Sequence, residues 1–270
     1  QGVNNDFRIT TLERGGSDTS AILCAKFFCA EKCVIYTDVK GVYTTDPNLF
    51  NNAKKINKIS YEEMLEMASL GAKVMQPASI QEARLNRIEI DVRSTFSKIK
   101  GTTITKKKNI LSKNTIRGIS FTKNDAKLTL VGVKDKPGIA ASIFKPLYEN
   151  SINVDMVVQN VSAGGKETDL TFTIKLDDLK KTRKLVENNK YIKFRKLIIN
   201  ENVSKVSIVG VGMVTTPGIT YRMFKALAKK KINIEVISTS EIKISVLIDK
   251  KNLKKSVEIL HQEFKLNNSL

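Results

Sequence analysis

The chain has no tryptophan, one histidine (His261), three cysteines and five prolines in 270 residues. A structural zinc site takes four Cys or His ligands, and Cys24, Cys29 and Cys33 stand at no metal-ligand spacing, with His261 far away in sequence. No metal-ligating residues are expected, and the cysteines read as small buried apolar side chains in a reducing, cytoplasmic setting. No apolar run reaches the ~18–20 residues that cross a bilayer. The start at Gln1 shows no basic stretch followed by an apolar one and no methionine, so a signal peptide is not expected and a fragment or processed product is. Acid is also scarce: 27 Asp and Glu face 46 Lys and Arg, a formal charge of +19. That excess invites a nucleic-acid reading. Only nine of the basic residues are arginine, however, and the lysines are scattered rather than gathered into a stripe. Without tryptophan or basic–aromatic interleaving, no nucleic-acid partner is expected. Clusters such as 106–108 and 229–231 fit loops and helix ends, and the charge attracts anionic ligands only over long range.

What is present is globular. A hydrophobic share of 41% over 270 residues suits two or three modest domains, each with its own core. The first ~100 residues alternate helix and strand signals. A helical pattern covers Ser17 to Lys32, and a short β-rich run covers Val34 to Val39. Ser60-Tyr-Glu-Glu63 reads as a capping box: the serine hydroxyl accepts from the third helical amide, and Glu63 reaches back. That helix runs towards Gly71, a second covers Ala78 to Asn86, and a strand covers Ile88 to Ser94. The polar, lysine-rich stretch from Thr102 to Asn114 reads as a linker.

Beyond it the chain repeats itself. Lys127-Leu-Thr-Leu-Val-Gly-Val133 is echoed by Lys205-Val-Ser-Ile-Val-Gly-Val211, Pro137-Gly-Ile139 by Pro217-Gly-Ile219, and Ile152-Asn-Val-Asp155 by Ile232-Asn-Ile-Glu235. Each copy reads strand, Pro-Gly turn, helix, strand, strand, helix, a ferredoxin-like βαββαβ unit. The Pro presets the turn, and the Gly lets backbone approach a ligand at the helix start. The expected fold is α/β, with divisions at 1–104 (the alternating helix–strand portion), 105–122 (linker and entering strand), 123–200 and 201–270 (the two repeats).

The richest chemistry lies in Arg14-Gly-Gly-Ser-Asp-Thr19. Gly15 and Gly16 precede a helix whose free amides and dipole can hold an anion. Arg14 can grip a carboxylate with two parallel hydrogen bonds, and Asp18 can meet an ammonium group. Together they would suit a zwitterionic amino acid beside a phosphate donor. The spacing fits a plain Gly-Gly turn capped by Ser17 or Asp18 equally well.

Three strings carry a closer likeness: Arg14-Gly-Gly-Ser-Asp-Thr19, Ile35-Tyr-Thr-Asp-Val-Lys-Gly-Val-Tyr-Thr-Thr-Asp-Pro47, and Ser60-Tyr-Glu-Glu-Met-Leu-Glu-Met-Ala-Ser-Leu-Gly-Ala-Lys73. With Val92-Arg-Ser94, Gly101-Thr102, Asn153-Val-Asp-Met-Val-Val-Gln-Asn160 and Ile237-Ser-Thr-Ser-Glu-Ile242, they resemble aspartokinases of the amino-acid kinase family in collinear order. The resemblance implies an amino-acid kinase portion followed by two ACT domains. It implies ATP and L-aspartate as substrates, 4-phospho-L-aspartate as product, and Mg2+ bridging the phosphates. By it, Arg14, Gly15, Gly16, Ser17 and Asp18 hold aspartate. Thr37, Asp38, Tyr43 and Asp46 line the nucleotide site, and Lys73 reaches the phosphates. Taken singly, Lys73 is one more surface lysine, Tyr43 core packing, and Asp46-Pro47 a turn.

For the repeats the resemblance implies threonine or lysine as feedback effectors, bound where ACT domains pair edge to edge. In the first repeat the candidates are Asp135, Pro137, Gly138, Ala140, Asn153, Asp155 and Gln159. In the second they are Thr215, Gly218, Thr220, Asn233, Ile234, Ser240 and Glu241. Asn153 and Asn233 read equally as residues that turn the chain into a strand. A homodimer through the ACT domains, or association with a full-length subunit, is expected. Two departures stand out. Glu13 occupies a position that is usually Gly in the family. The lysine-bearing Lys-Phe-Gly-Gly strand that opens family members is not among these residues, which implies an N-terminally truncated kinase with little or no activity alone. The alternative is a non-catalytic, amino-acid-binding regulatory subunit.

Overall fold

The structure, a computed structural model, describes residues 2–11, 15–71, 74–106, 115–161, 167–189 and 191–267. After a small hairpin of β1 (Gly2–Val3) and β2 (Ile9–Thr10), the first third of the chain builds one four-stranded sheet. Its order is β3 (Lys32–Thr37), β5 (Glu89–Ser94), β6 (Thr102–Thr105), β4 (Lys58–Ser60). β3 and β5 are parallel, whereas β6 runs against β5 and alongside β4. Three helices accompany it: α1 (Gly16–Phe27), α2 (Tyr61–Ser69) and α3 (Pro77–Asn86).

Local chemistry explains most of these boundaries. The capping box at Ser60 and Glu63 opens α2 as its sequence predicts. Helix α1 stops at Phe27, five residues short of the expectation, because Cys29 turns left-handed (φ 51°) and the Ala30 amide donates to the Ala25 carbonyl. Cys24 and Cys29 are consequently exposed on α1 and its exit turn. Only Cys33 is buried, a correction to the expectation for all three. A second correction concerns the expected linker, whose first residues form the buried strand β6. Threonine is β-branched, and its hydroxyl can be satisfied inside a sheet. Thr102 donates to the Ile56 carbonyl (2.6 Å) and Thr103 to Asp91 Oδ1 (2.7 Å). Residues 107–114 lie outside the described residues.

The rest of the chain forms β7 (Gly118–Lys134), α4 (Ile139–Glu149), β8 (Val154–Val161), β9 (Glu167–Lys175), α5 (Leu179–Glu187) and β10 (Lys196–Val209). Then come α6 (Ile219–Lys229), β11 (Val236–Thr239), β12 (Lys243–Asp249) and α7 (Leu253–Glu263). All six strands join one sheet in the order β11-β12-β10-β7-β9-β8. β7 and β10 are long enough to serve both repeats. The later part of β7 pairs with β9 and with 196–200 of β10, which closes the first βαββαβ unit. The earlier part, 118–125, pairs with 203–209 of β10. Among the described residues no strand follows α7, so the second unit takes its fourth strand from upstream. Without it, one side of β10 would carry unpaired amides and carbonyls. β7 runs unbroken across 122/123, and β10 across 200/201. No helix among the described residues is long and apolar enough to cross a membrane.

A buried seam joins the four-stranded sheet to the second repeat. Glu63 and Arg117 form an ion pair there (3.4 Å), with side chains 1% and 4% exposed. The same carboxylate accepts from the Ser60 amide and hydroxyl (both 3.2 Å) and from the Val211 amide (3.1 Å). The cores also trade side chains: Val209 of β10 packs in the first, and Phe50 from the loop after β3 packs in the second. His261 of α7 completes the seam, fully buried, with Nε2 2.8 Å from the Thr44 hydroxyl and its ring tilted over Phe50.

Two outcomes follow from this seam. Glu63→Ala removes the buried carboxylate that the Ser60, Arg117 and Val211 donors share, and should lower unfolding free energy by roughly 3 kcal/mol or more in urea titrations. An unchanged midpoint would contradict the structural role. Burial pushes the His261 imidazole down to about 4. The unfolded chain therefore binds a proton near pH 6.5 that the folded one refuses. Stability is complete above that pH and falls, by up to about 3 kcal/mol, as pH drops to 4. His261 is the only histidine, so His261→Gln should flatten this limb of the stability–pH curve.

Candidate functional site

Gly15 makes the entry to α1 possible. It holds φ 81° as the N-cap, a left-handed conformation that favours glycine, and a Cβ there would collide with the side chain of Gln76. Gln76 is in turn the N-cap of α3. The Ser79 hydroxyl reaches the Gly15 carbonyl (3.4 Å) and the Thr19 hydroxyl (3.0 Å). Two helix N-termini thus converge, each with free amides and a positive dipole end. Short turns lead from α1 into β3 and from α3 into β5, so these N-termini lie towards the carboxyl ends of the parallel strands, where open α/β sheets bind ligands.

Ser17 is exposed at this junction, and Asp18 is partly buried in the first turn of α1. Burial pushes the Asp18 carboxyl up from its ordinary value, so a cation placed beside it would offset a real desolvation cost. Thr37 ends β3, and its hydroxyl donates to Asp38 (3.0 Å). Its carbonyl accepts from the Thr95 amide (2.8 Å), tying the ends of β3 and β5 together. Tyr43 and Asp46 lie on the following loop. Tyr43 bridges to Lys55, while Asp46 closes a turn by accepting from the Asn48 amide (2.8 Å). Glu13, Arg14 and Lys73 lie outside the described residues.

The two Pro-Gly turns are built alike. Gly138 and Gly218 each cap a helix at φ 85°, and a Cβ on either would meet open space. Each is left-handed for the turn that opens its helix. Asp135, Pro137 and Ala140 surround the first turn, and Thr215 and Thr220 the second. Thr215 donates to the Gly212 carbonyl (3.4 Å). Asn153 precedes β8, which carries Asp155 and Gln159; Asn233 and Ile234 precede β11. Ser240 and Glu241 form the β11–β12 turn, with the Ser240 amide donating to the Lys243 carbonyl (2.8 Å).

The structure draws the two sets together by an exchange that the sequence did not reveal. Lys127 of the first repeat pairs with Glu235 of the second (2.6 Å), and Lys205 of the second pairs with Asp155 of the first. These are equivalent residues of the two copies, so the ion pairs are reciprocal across an approximate two-fold axis. The Lys205 side chain is only 5% exposed, a desolvation that its carboxylate partner offsets. Asn200 adds hydrogen bonds to both Glu235 carboxylate oxygens. Beside these pairs lies a cleft of about 250 Å³ lined by Val158, Asn160 and Thr171 on one side and 234–237 on the other. The echo Asp155/Glu235 was the available signal, although repeats alone do not say which copy a side chain meets.

The model of the Amino acid kinase family matches residues 2–94, and the ACT domain model matches 128–189 and 206–264. Aspartate kinase of Pseudomonas putida is 46% identical over 269 residues, covering 99% of this chain and 65% of its own length. The chain therefore spans less than two thirds of that relative. The structure of E. coli aspartokinase III in complex with aspartate and ADP is similar at a TM-score of 0.80 and 28% identity, over 97% of this chain and 58% of that one. The regulatory subunit of aspartate kinase from Thermus thermophilus matches at 36% identity and a TM-score of 0.52, over 56% of this chain and 99% of its own. The chain belongs to the aspartate kinase family, with part of an amino-acid kinase domain followed by two ACT domains.

Proposed function

We propose that the protein acts as an aspartate kinase, moving the terminal phosphoryl group of ATP to the side-chain carboxylate of L-aspartate to give 4-phospho-L-aspartate and ADP. This is the first step towards lysine, threonine and methionine, with lysine, threonine or both acting back through the ACT units in the cytoplasm. The observation that carries the reading is the collinear 46% identity with an aspartate kinase across 99% of the chain. E. coli aspartokinase III, solved with aspartate and ADP and also with lysine and aspartate, gives it chemical content.

The attacking carboxylate is already an anion at neutral pH, so no strong general base is needed. Alignment and offsetting of charge do most of the work. The convergent N-termini of α1 and α3 would face the anionic groups, with Arg14 and Asp18 taking the two ends of aspartate and Ser17 alongside. An ammonium group against Asp18 would draw its raised carboxyl back to the ionised form. Thr37, Asp38, Tyr43 and Asp46 would line the nucleotide, and Lys73 would reach its phosphates. The nucleotide would bring its own Mg2+. When bound, that ion offsets phosphate charge.

In the regulatory half, effector carboxylates would meet the amides after Gly138 and Gly218. Side chains from Asp135, Asn153, Asp155 and Gln159, or from Asn233, Ile234, Ser240 and Glu241, would meet the rest. Pairing of ACT units between two copies, or with a full-length subunit, would complete such sites. The 270 residues on their own hold no Lys-Phe-Gly-Gly strand, and little turnover is expected from them in isolation. A second reading, an amino-acid-binding regulatory subunit, draws on the match that covers 99% of the Thermus thermophilus regulatory subunit.

In the longest natural chain that contains these residues, Asp18→Asn should lower kcat/KM for aspartate about a hundredfold, the loss of one charge-assisted contact. Wild-type kinetics in that variant would remove Asp18 from the site. For the 270 residues themselves, lysine or threonine at about 100 times its Kd should stabilise by about 2.7 kcal/mol. A thermal melt then rises by several degrees. Unmoved melts with both amino acids would sink the feedback reading.

A further inference from the structure

The loop after β3 is held from outside its own domain, and Thr44 is where it is held. Thr44 is fully buried between Tyr43 and Asp46, the two loop residues assigned above to the nucleotide. Its polar groups are engaged on three sides. The amide donates to the Lys54 carbonyl (2.8 Å), and the carbonyl accepts from the Ile119 amide of β7 (2.6 Å). The hydroxyl accepts from the Lys54 amide (3.0 Å) and meets His261 Nε2 of α7 (2.8 Å). The first partner belongs to the kinase portion, and the other two belong to the second ACT unit. The turn at Asp46 is anchored the same way. The Asp46 carbonyl accepts from the Leu49 and Phe50 amides, and the Phe50 ring lies in the ACT core, 4.7 Å from the His261 ring.

We propose that His261 is a positioning residue for the nucleotide-lining loop, reaching from the second ACT unit to fix Thr44 and Phe50 so that Tyr43 and Asp46 are held ready for the nucleotide. The inference rests on the nucleotide reading of that loop. It makes α7 a direct mechanical link between the regulatory sheet and the kinase portion. Displacement of α7 against the four-stranded sheet has to stretch the Thr44 contact or drag the loop along, since packed interfaces change by steps rather than by smooth deformation. A single buried contact of this kind suits a regulatory coupling, which needs only a small difference in free energy between two arrangements.

The test compares His261→Leu, which keeps apolar volume but cannot hydrogen-bond, with His261→Gln, whose side-chain amide can meet the Thr44 hydroxyl. In the longest natural chain that contains these residues, His261→Leu should raise KM for ATP about tenfold, with kcat within about twofold and KM for aspartate unchanged. Amide hydrogen exchange at Thr44, Leu49, Phe50 and Ile119 should quicken about tenfold, with the β10–β12 amides unaffected. His261→Gln should restore both. An unchanged KM for ATP, an equal rise in the KM for aspartate, or failure of the glutamine variant to rescue would overturn the inference. If the wild-type form of that longest natural chain phosphorylates no aspartate, the proposed function fails separately. Exchange then decides the inference: faster loop exchange reversed by glutamine supports it, and unaltered loop protection in His261→Leu overturns it.

Discussion

A carboxylate withdrawn from water must be answered by donors, and Glu63 is answered from its own helix cap and from two distant parts of the chain. The Ser60 amide and hydroxyl come from its own helix cap, Arg117 from the segment entering β7, and the Val211 amide from just beyond β10. Because an ion pair at 1% and 4% exposure stabilises only with all its partners in place, the seam behaves as a unit. Displacing the ACT sheet would strand the charge. The exchange of Val209 and Phe50 between the two cores adds apolar burial to the same seam. Kinase portion and second repeat are therefore packed as one body around Glu63, with His261 and Thr44 a second fastening.

The repeats are joined by a different device. β7 and β10 each span both units, so the two halves share backbone as well as side chains. The reciprocal pairs Lys127–Glu235 and Lys205–Asp155 cross between copies and oppose any shear of one unit against the other. Asp155 is thereby engaged in the architecture as well as standing among the candidate effector residues. A ligand that drew on it would compete with Lys205, and would so alter how the two units lock together. Occupancy by such a ligand and the arrangement of the two units would then be linked thermodynamically.

Much of the candidate site was legible because its parts are local. A left-handed glycine before a helix, a serine three residues before a glutamate, and a Pro-Gly pair before an amphipathic run are short-range constraints, and Gly15, Ser60 and Gly138 behave accordingly. The threonines of β6 were harder to read. A polar run looks like a loop until tertiary partners such as Ile56 and Asp91 satisfy its hydroxyls. Cys24 and Cys29 misled for the converse reason, since an apolar preference does not say which face of a helix meets the core, or that a residue falls in the turn beyond its end.

The residue order by itself determined the α/β portion, the internal repeat, the motifs of α1 and α2, and the left-handed turns that open α4 and α6. These depend on steric limits and hydrogen bonds spanning a few residues. Only the tertiary structure decided that the second repeat borrows its fourth strand from 118–125, that Lys127 and Lys205 each find the other repeat's acid, and that His261 and Arg117 bury themselves against Thr44 and Glu63. Such pairings link residues tens to hundreds of positions apart. They follow from which surfaces remain unsatisfied once the local elements have formed, and periodicity along the chain carries no record of that.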